Sequence, residues 1–188
     1  MPNSQSFTVT AQGGLLEVLQ TVCHICQGFN PAGGGGAHPQ FLEYQAIWDT
    51  GATASVITQA VVDACDLKPI GMVQTHGVHG TELSEVYLVN IRLPQGVGFM
   101  HVQVTKGKLV GGANVLIGMD IIAQGDFAVT NKGGITVFSF RVPAQTHIDF
   151  VKEFNEEQLR EQQQHGQPTG ERKKKHKTFG KDKRKKKS

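Results

Sequence analysis

The chain has 188 residues, 38% hydrophobic and 7% aromatic, with a net charge of +3. That length suits one domain with tails, and no apolar run approaches the roughly 18 residues that a membrane-spanning helix needs. Residues 171–188 hold 11 of the 19 Lys and Arg against Glu171 and Asp182. The remainder, with 8 basic and 14 acidic residues, is a faintly acidic body rather than a uniformly basic, polyanion-coating protein.

Residues 1–37 read as an irregular extension. L-L-E-V-L-Q-T-V at 15–22 has the composition for two turns of helix, and P-A-G-G-G-G-A at 31–37 is a flexible linker by composition. C-H-I-C at 23–26 has metal-knuckle spacing, with His24 as a further candidate ligand. A closed zinc site wants four ligands and no second pair follows, so plain reduced thiols are favoured over a site shared between two chains or a redox pair. No metal and no cofactor is expected. Three cysteines build no disulfide framework, and no signal-peptide pattern opens the sequence, so the expected setting is a reduced, cytoplasmic one.

From Phe41 the pattern favours strands. F-L-E-Y-Q-A-I-W runs into D-T-G at 49–51. Residues 58–69 then read as a short helix capped by Thr58, with Val61, Val62 and Cys65 on its inner side and Pro69 past its end. Cys65 is read there as a small buried apolar residue. M-V-Q-T-H-G-V-H-G-T-E-L at 72–83 puts Gly77 and Gly80 at the tip of a hairpin. In Y-L-V-N-I-R-L at 87–93, Tyr87, Val89, Ile91 and Leu93 alternate toward the core, and Asn90 and Arg92 face outward. F-M-H-V-Q-V-T at 99–105 is another strand. V-L-I-G-M-D-I-I at 115–122 is apolar except at Gly118 and Asp120, and residues 127–140 form a hairpin around N-K-G-G. A helix is predicted over roughly 149–164, with Phe150, Phe154 and Leu159 on one stripe. The sum is a mostly β domain over 38–143, a helical extension over 144–166 and a disordered Lys-rich tail over 167–188.

The run A-I-W stops at Asp49 and resumes after T-G-A-T-A-S. Alone, that is either a simple turn or an acid held at a strand end for chemistry. Together with the glycine hairpin and V-L-I-G-M-D, which starts 66 residues beyond Asp49, it resembles the retroviral-type (retropepsin-like) aspartic proteases, in their cellular or bacterial branch. The resemblance covers about 38–143 and implies a small, closed-barrel-like acid protease fold with one lobe per chain. One short helix would follow the catalytic loop, and another would lie near the domain's C-terminal end.

It further implies an endopeptidase acting on extended polypeptides as a homodimer, each subunit supplying Asp49 to a shared dyad. Thr50 would bond its counterpart across the dimer axis. Gly51 and Ala52 would complete the loop, Gly77, Val78, His79 and Gly80 the flap, and Gly118 would pack behind the site. Two carboxylates about 3 Å apart share one proton, so one member activates water while the other polarises the scissile carbonyl. The sequence has one Asp-Thr-Gly, so a monomer is expected to be inactive.

Thr53 and Ala54 stand where viral members commonly carry acids, and Met119-Asp120 replaces a common Arg-Asn pair. Viral members interlace short terminal strands, whereas both ends here run on for some 40 residues. The alternative is a catalytically inactive peptide-binding or scaffold dimer with a nucleic-acid-binding tail. Residues 171–188 have the charge to hold RNA, DNA or an anionic surface without sequence preference, and a solubilising role fits them equally.

Overall fold

A computed structural model describes residues 4–30, 32, 38–77 and 80–165. The chain divides into two compact units, Met1–Thr146 and His147–Ser188. The first is mostly β.

Among the described residues, ten strands lie in two sheets. In the smaller, β1 (Gln5–Thr10) pairs antiparallel with β10 (Val137–Val142), which pairs with β9 (Asp126–Thr130). The larger contains β2 (Gln20–Gln27), β3 (Leu42–Trp48), β4 (Val56–Ile57), β5 (Gly71–Gly77), β6 (Gly80–Arg92), β7 (Gly98–Lys106) and β8 (Val115–Ile117). Its order is β2-β3-β8-β4-β7-β6-β5, and an additional β2–β6 pairing closes it on itself, barrel-like, with β5 left outside. Two short helices, α1 (Gln59–Ala64) and α2 (Met119–Ile122), follow β4 and β8.

The N-terminal segment departs from expectation. Residues 5–10 and 20–27, read above as irregular or helical, are strands. Leu15, Leu16, Val18, Leu19 and Val22 mimic a helical period, but pairing of Gln20–Ile25 with Leu42–Ile47 outweighs that weak local preference. Phe7 of β1 enters the core beside Trp48, Phe138 and Phe140, with ring centroids 5.8–6.3 Å away. Trp48 also stacks on Phe127 at 5.5 Å, and its indole N–H donates to Thr21 Oγ1 at 3.0 Å. Such ring pairs contribute about 0.5–1.5 kcal/mol each beyond their buried area.

Tyr87, Val89, Ile91 and Leu93 are all buried, in keeping with their alternation. Asn90 is not outward, however. It is fully buried, donates to Phe29 O and accepts from the His101 backbone N–H, which secures His101 at φ +55° opposite a bulge in β6–β7. Thr58 occupies the N-cap of α1, yet its hydroxyl makes no cap bond and is, among the described residues, a buried oxygen without a partner. Its carbonyl accepts the N–H groups of Val61 and Val62 instead.

Cys23 and Cys26 are both buried, but three residues apart on a strand they point to opposite faces and form no knuckle. Burial pushes the Cys23 thiol up to about 12 and the Cys26 thiol up to about 11, away from thiolate chemistry.

At the end of the first unit, Asp126 binds the Arg141 guanidinium and accepts backbone N–H bonds from Gln145 and Thr146. The Gln145 N–H and the Arg141 charge hold its carboxyl below the usual range. A depressed carboxyl stabilises the fold above its unfolded value, and that contribution is lost as pH falls through the folded value. Asp126→Asn will therefore melt a few degrees below wild type near neutral pH. The gap will close below about pH 4, which thermal melts at both pH values will read.

In the second unit, α3 (Phe150–His165) carries Lys152–Glu156 and Arg160–Glu156 ion pairs one turn apart. Phe150 and Phe154 share a face, but Leu159 lies about 140° round the helix from Phe154 and does not join their stripe. Among the described residues no helix is long and apolar enough to cross a membrane. Residues 171–188, and with them any nucleic-acid contact, lie outside the described residues.

Candidate active site

Asp49 is the first residue after β3. Its position follows from an unusual strand arrangement. β8 lies between β3, which runs parallel to it, and β4, which runs antiparallel, so residues 49–55 must pass around the end of β8. Four sets of hydrogen bonds fasten that passage to β8 and the start of α2. Asp49 N–H donates to Ile117 O at 3.0 Å, and Met119 N–H to Ala52 O at 2.8 Å. Ser55 donates through its backbone N–H and its hydroxyl to the two oxygens of Asp120, at 3.0 and 2.8 Å. Gly118 N–H donates to Ser55 Oγ at 3.1 Å.

Gly118 lies hard against the loop: a Cβ there would come within 2.7 Å of both the carbonyl carbon and oxygen of Ala54, and 3.1 Å of Ala52 O. Within the loop, Gly51 N–H donates to Asp49 Oδ1 at 2.8 Å, and Ala52 N–H reaches Asp49 O at 3.3 Å. The carboxyl is thus oriented by its own loop while Asp49 and Thr50 stay exposed. Oδ2 has no protein donor in a comparable position among these bonds, so the group is aimed and still open to chemistry. A cleft of about 470 Å³, lined by Phe99, His101, Gln103, Asp120 and Gln124 among others, does not include Asp49. One copy offers the acid on an open surface.

Asp49, Thr50, Gly51, Ala52 and Gly118 are therefore brought together. Gly77 and Gly80 face each other as the last pair of the β5–β6 hairpin, with Gly80 at φ +112°, a conformation that favours glycine. Val78 and His79 lie outside the described residues. Below the tip, Met72 and Leu83 are 63% and 71% exposed. Glu85, at the hairpin's base, takes the Lys106 ammonium and the Tyr87 hydroxyl, which hold its carboxyl low. Among the described residues no three His, Cys, Asp or Glu side chains group as metal ligands.

The Ser55–Asp120 pair was not anticipated from the sequence. Its signal was available: an acid in the middle of V-L-I-G-M-D-I-I must find donors if it packs there.

Solved structures resemble this fold. They include a retropepsin-like aspartic protease from Rickettsia conorii, at 9% identity and TM-score 0.44 over 74% of this chain and 96% of that one. The Simian Foamy Virus (mac) protease matches at 19% identity and TM-score 0.38, over 56% and 92%. The retroviral protease-like domain of Ddi1 from Leishmania major matches at 15% identity and TM-score 0.38, over 61% and 82%. The chain is similar to retropepsin-like proteases. No family model and no curated protein matches it.

Proposed function

We propose that the chain is an aspartic endopeptidase that hydrolyses extended polypeptide segments with a dyad of Asp49 from two copies. The observation that carries this is the oriented, exposed carboxyl of Asp49. It sits on a loop fastened to β8 on both sides and backed by a glycine whose place no larger residue fits.

In the proposed mechanism the two carboxyls hold one proton between them. The charged member takes a proton from water as the oxygen attacks the scissile carbonyl, and the protonated member donates to the carbonyl oxygen. The proton is later returned to the leaving nitrogen. The β5–β6 hairpin, with exposed Met72 and Leu83, supplies a strand edge and apolar side chains against which an extended peptide can lie.

A shared dyad makes activity depend on concentration. Incubated with a mixture of unstructured peptides from about pH 4 to about pH 7.5, the protein will show a specific activity that falls on dilution below its dimer dissociation constant. Activity that stays constant on dilution through that range would sink the shared site. A folded dimer that cuts nothing would leave the peptide-binding alternative.

A further inference from the structure

The larger sheet leaves part of β7 without a neighbour on one side. Leu88 O accepts the Gly28 N–H at 2.9 Å, and Thr105 N–H donates to Ser55 O at 3.1 Å. Leu88 and Gln103 are register partners, and Gln103 lies two residues before Thr105. Alternation along the strand therefore turns the N–H and C=O of Gln103 away from β6, toward the side that β4 occupies beside Thr105 and Lys106. The β4–β7 ladder runs through Gly107 N–H to Ile57 O and Thr105 N–H to Ser55 O. Its next rung would be Ser55 N–H to Gln103 O, but that N–H goes to Asp120 Oδ2 at 3.0 Å instead. The ladder stops there, and among the described residues no strand lies against the outer side of Gln103. Two residues back, His101 N–H is held by Asn90 Oδ1, so the open edge centres on Gln103.

This edge forms one side of the cleft of about 470 Å³ described above, which Asp120 and Gln124 of the α2 region and Val142 at the end of β10 also line. That volume lies within the range of ordinary ligand sites. No Lys or Arg lines the cleft, and its one carboxylate is Asp120. The partners of that carboxylate are the Ser55 N–H and hydroxyl and the Ile121 N–H, all neutral donors. Among the described residues no cation pairs with it.

We propose that this cleft binds an extended polypeptide segment as an added strand. One residue of the segment exchanges both main-chain hydrogen bonds with Gln103, and a Lys or Arg of the segment lies against Asp120. The two features together select that ligand. A simple cation would answer Asp120 and leave the Gln103 edge unpaired. A helical segment has its own main-chain groups engaged internally, and a nucleic acid would bring phosphates against a carboxylate of the same sign. Asp49 is not part of the lining, so the site does not depend on the peptidase proposal. On a peptidase it would grip a substrate away from the scissile bond.

The test is an NMR titration of the full ¹⁵N-labelled chain carrying Asp49→Asn, which keeps the peptide uncut. The probe is a heptapeptide blocked at both ends, alternating Val and Thr about a central Lys, added to about 2 mM, a range that reads millimolar and tighter affinities. The Gln103 amide is expected to shift and to exchange more slowly, and the Gln124 side-chain amide to shift with it. The same peptide with Glu for Lys will bind at least about tenfold more weakly, as will a lysine peptide N-methylated at alternate residues. Gln124→Lys sets a cation beside Asp120 and will weaken the lysine peptide at least about tenfold, without weakening the glutamate one. Gln103→Pro removes the outward N–H and will abolish the response; Gln124→Lys serves if that variant fails to fold.

Four results would overturn the site: no response by 2 mM on that scale, shifts confined to the β5–β6 hairpin around Met72 and Leu83, equal binding of the lysine, glutamate and N-methylated peptides, or a Gln103 amide already protected with no peptide added. The last would mean that another part of the chain fills the edge. Wild-type protein that cuts nothing while Gln103 responds keeps this site and removes the peptidase. Cleavage with a silent Gln103 does the reverse.

Discussion

Asp49→Asn protein will cut peptides no faster than about one thousandth of the wild-type rate at any pH, the loss expected when both acid and base roles vanish. It will sediment and melt as wild type does. The amide keeps an oxygen to accept the Gly51 N–H at the position of Oδ1, so the loop loses none of its described bonds. What is lost is the proton equilibrium: an amide neither takes a proton from water nor shares one with a neighbour. Mixing adds a sharper result. With wild type held constant, excess Asp49→Asn chains will draw it into mixed dimers containing a single carboxyl, and activity will fall toward zero. Independent one-chain sites would show no such quenching. Equal cutting by both proteins would assign the activity to another residue or to a contaminant.

Gly118→Ala will lose both stability and cleavage. Its new methyl would stand 2.7 Å from two backbone atoms of Ala54, which cannot rotate away as a flexible side chain does. Either β8 or the loop must shift, and four sets of hydrogen bonds join them. Overpacking of this kind costs roughly 3 kcal/mol, equivalent to a fall in Tm of about 6–12 °C for a chain of this size. Gly51→Ala is the informative contrast. There a Cβ would meet only Asp49 Oδ1, at 3.1 Å. Its melting will change little, but a methyl pressed on the working carboxyl will reduce cleavage at least about tenfold, as small misplacements of reacting groups do. Equal melting temperatures for Gly118→Ala and wild type would show that β8 and the loop are not the tight pair described.

Much of the fold was legible in local pattern. The alternation through Tyr87, Val89, Ile91 and Leu93, the helix after Thr58 and the 127–140 hairpin each follow from side-chain period or turn chemistry. The parts that were missed depend on distant partners. Phe7 and Val9 alternate in Q-S-F-T-V-T, but six residues with two apolar positions carry little signal until β10 supplies the other side of the ladder. The helical spacing at 15–22 loses to strand β3, more than twenty residues on. Asn90 resembles a surface residue until His101 and Phe29 are brought to it. At the site, the Asp-Thr-Gly triplet and Gly118 stood out by residue type. Ser55 did not, because its meaning is Asp120, 65 positions away.

Trp48 is the chain's single tryptophan, and it is the residue immediately before Asp49. It is 7% exposed, stacked on Phe127 and tied through its indole N–H to Thr21. The protein therefore carries one indole fluorophore, in a buried aromatic setting at the foot of the loop. Its emission comes from a single environment, free of contributions from other indoles. Whatever rearranges that loop, whether a peptide, an inhibitor or a neighbouring protomer, does so within reach of this one signal, in unlabelled and unmodified protein.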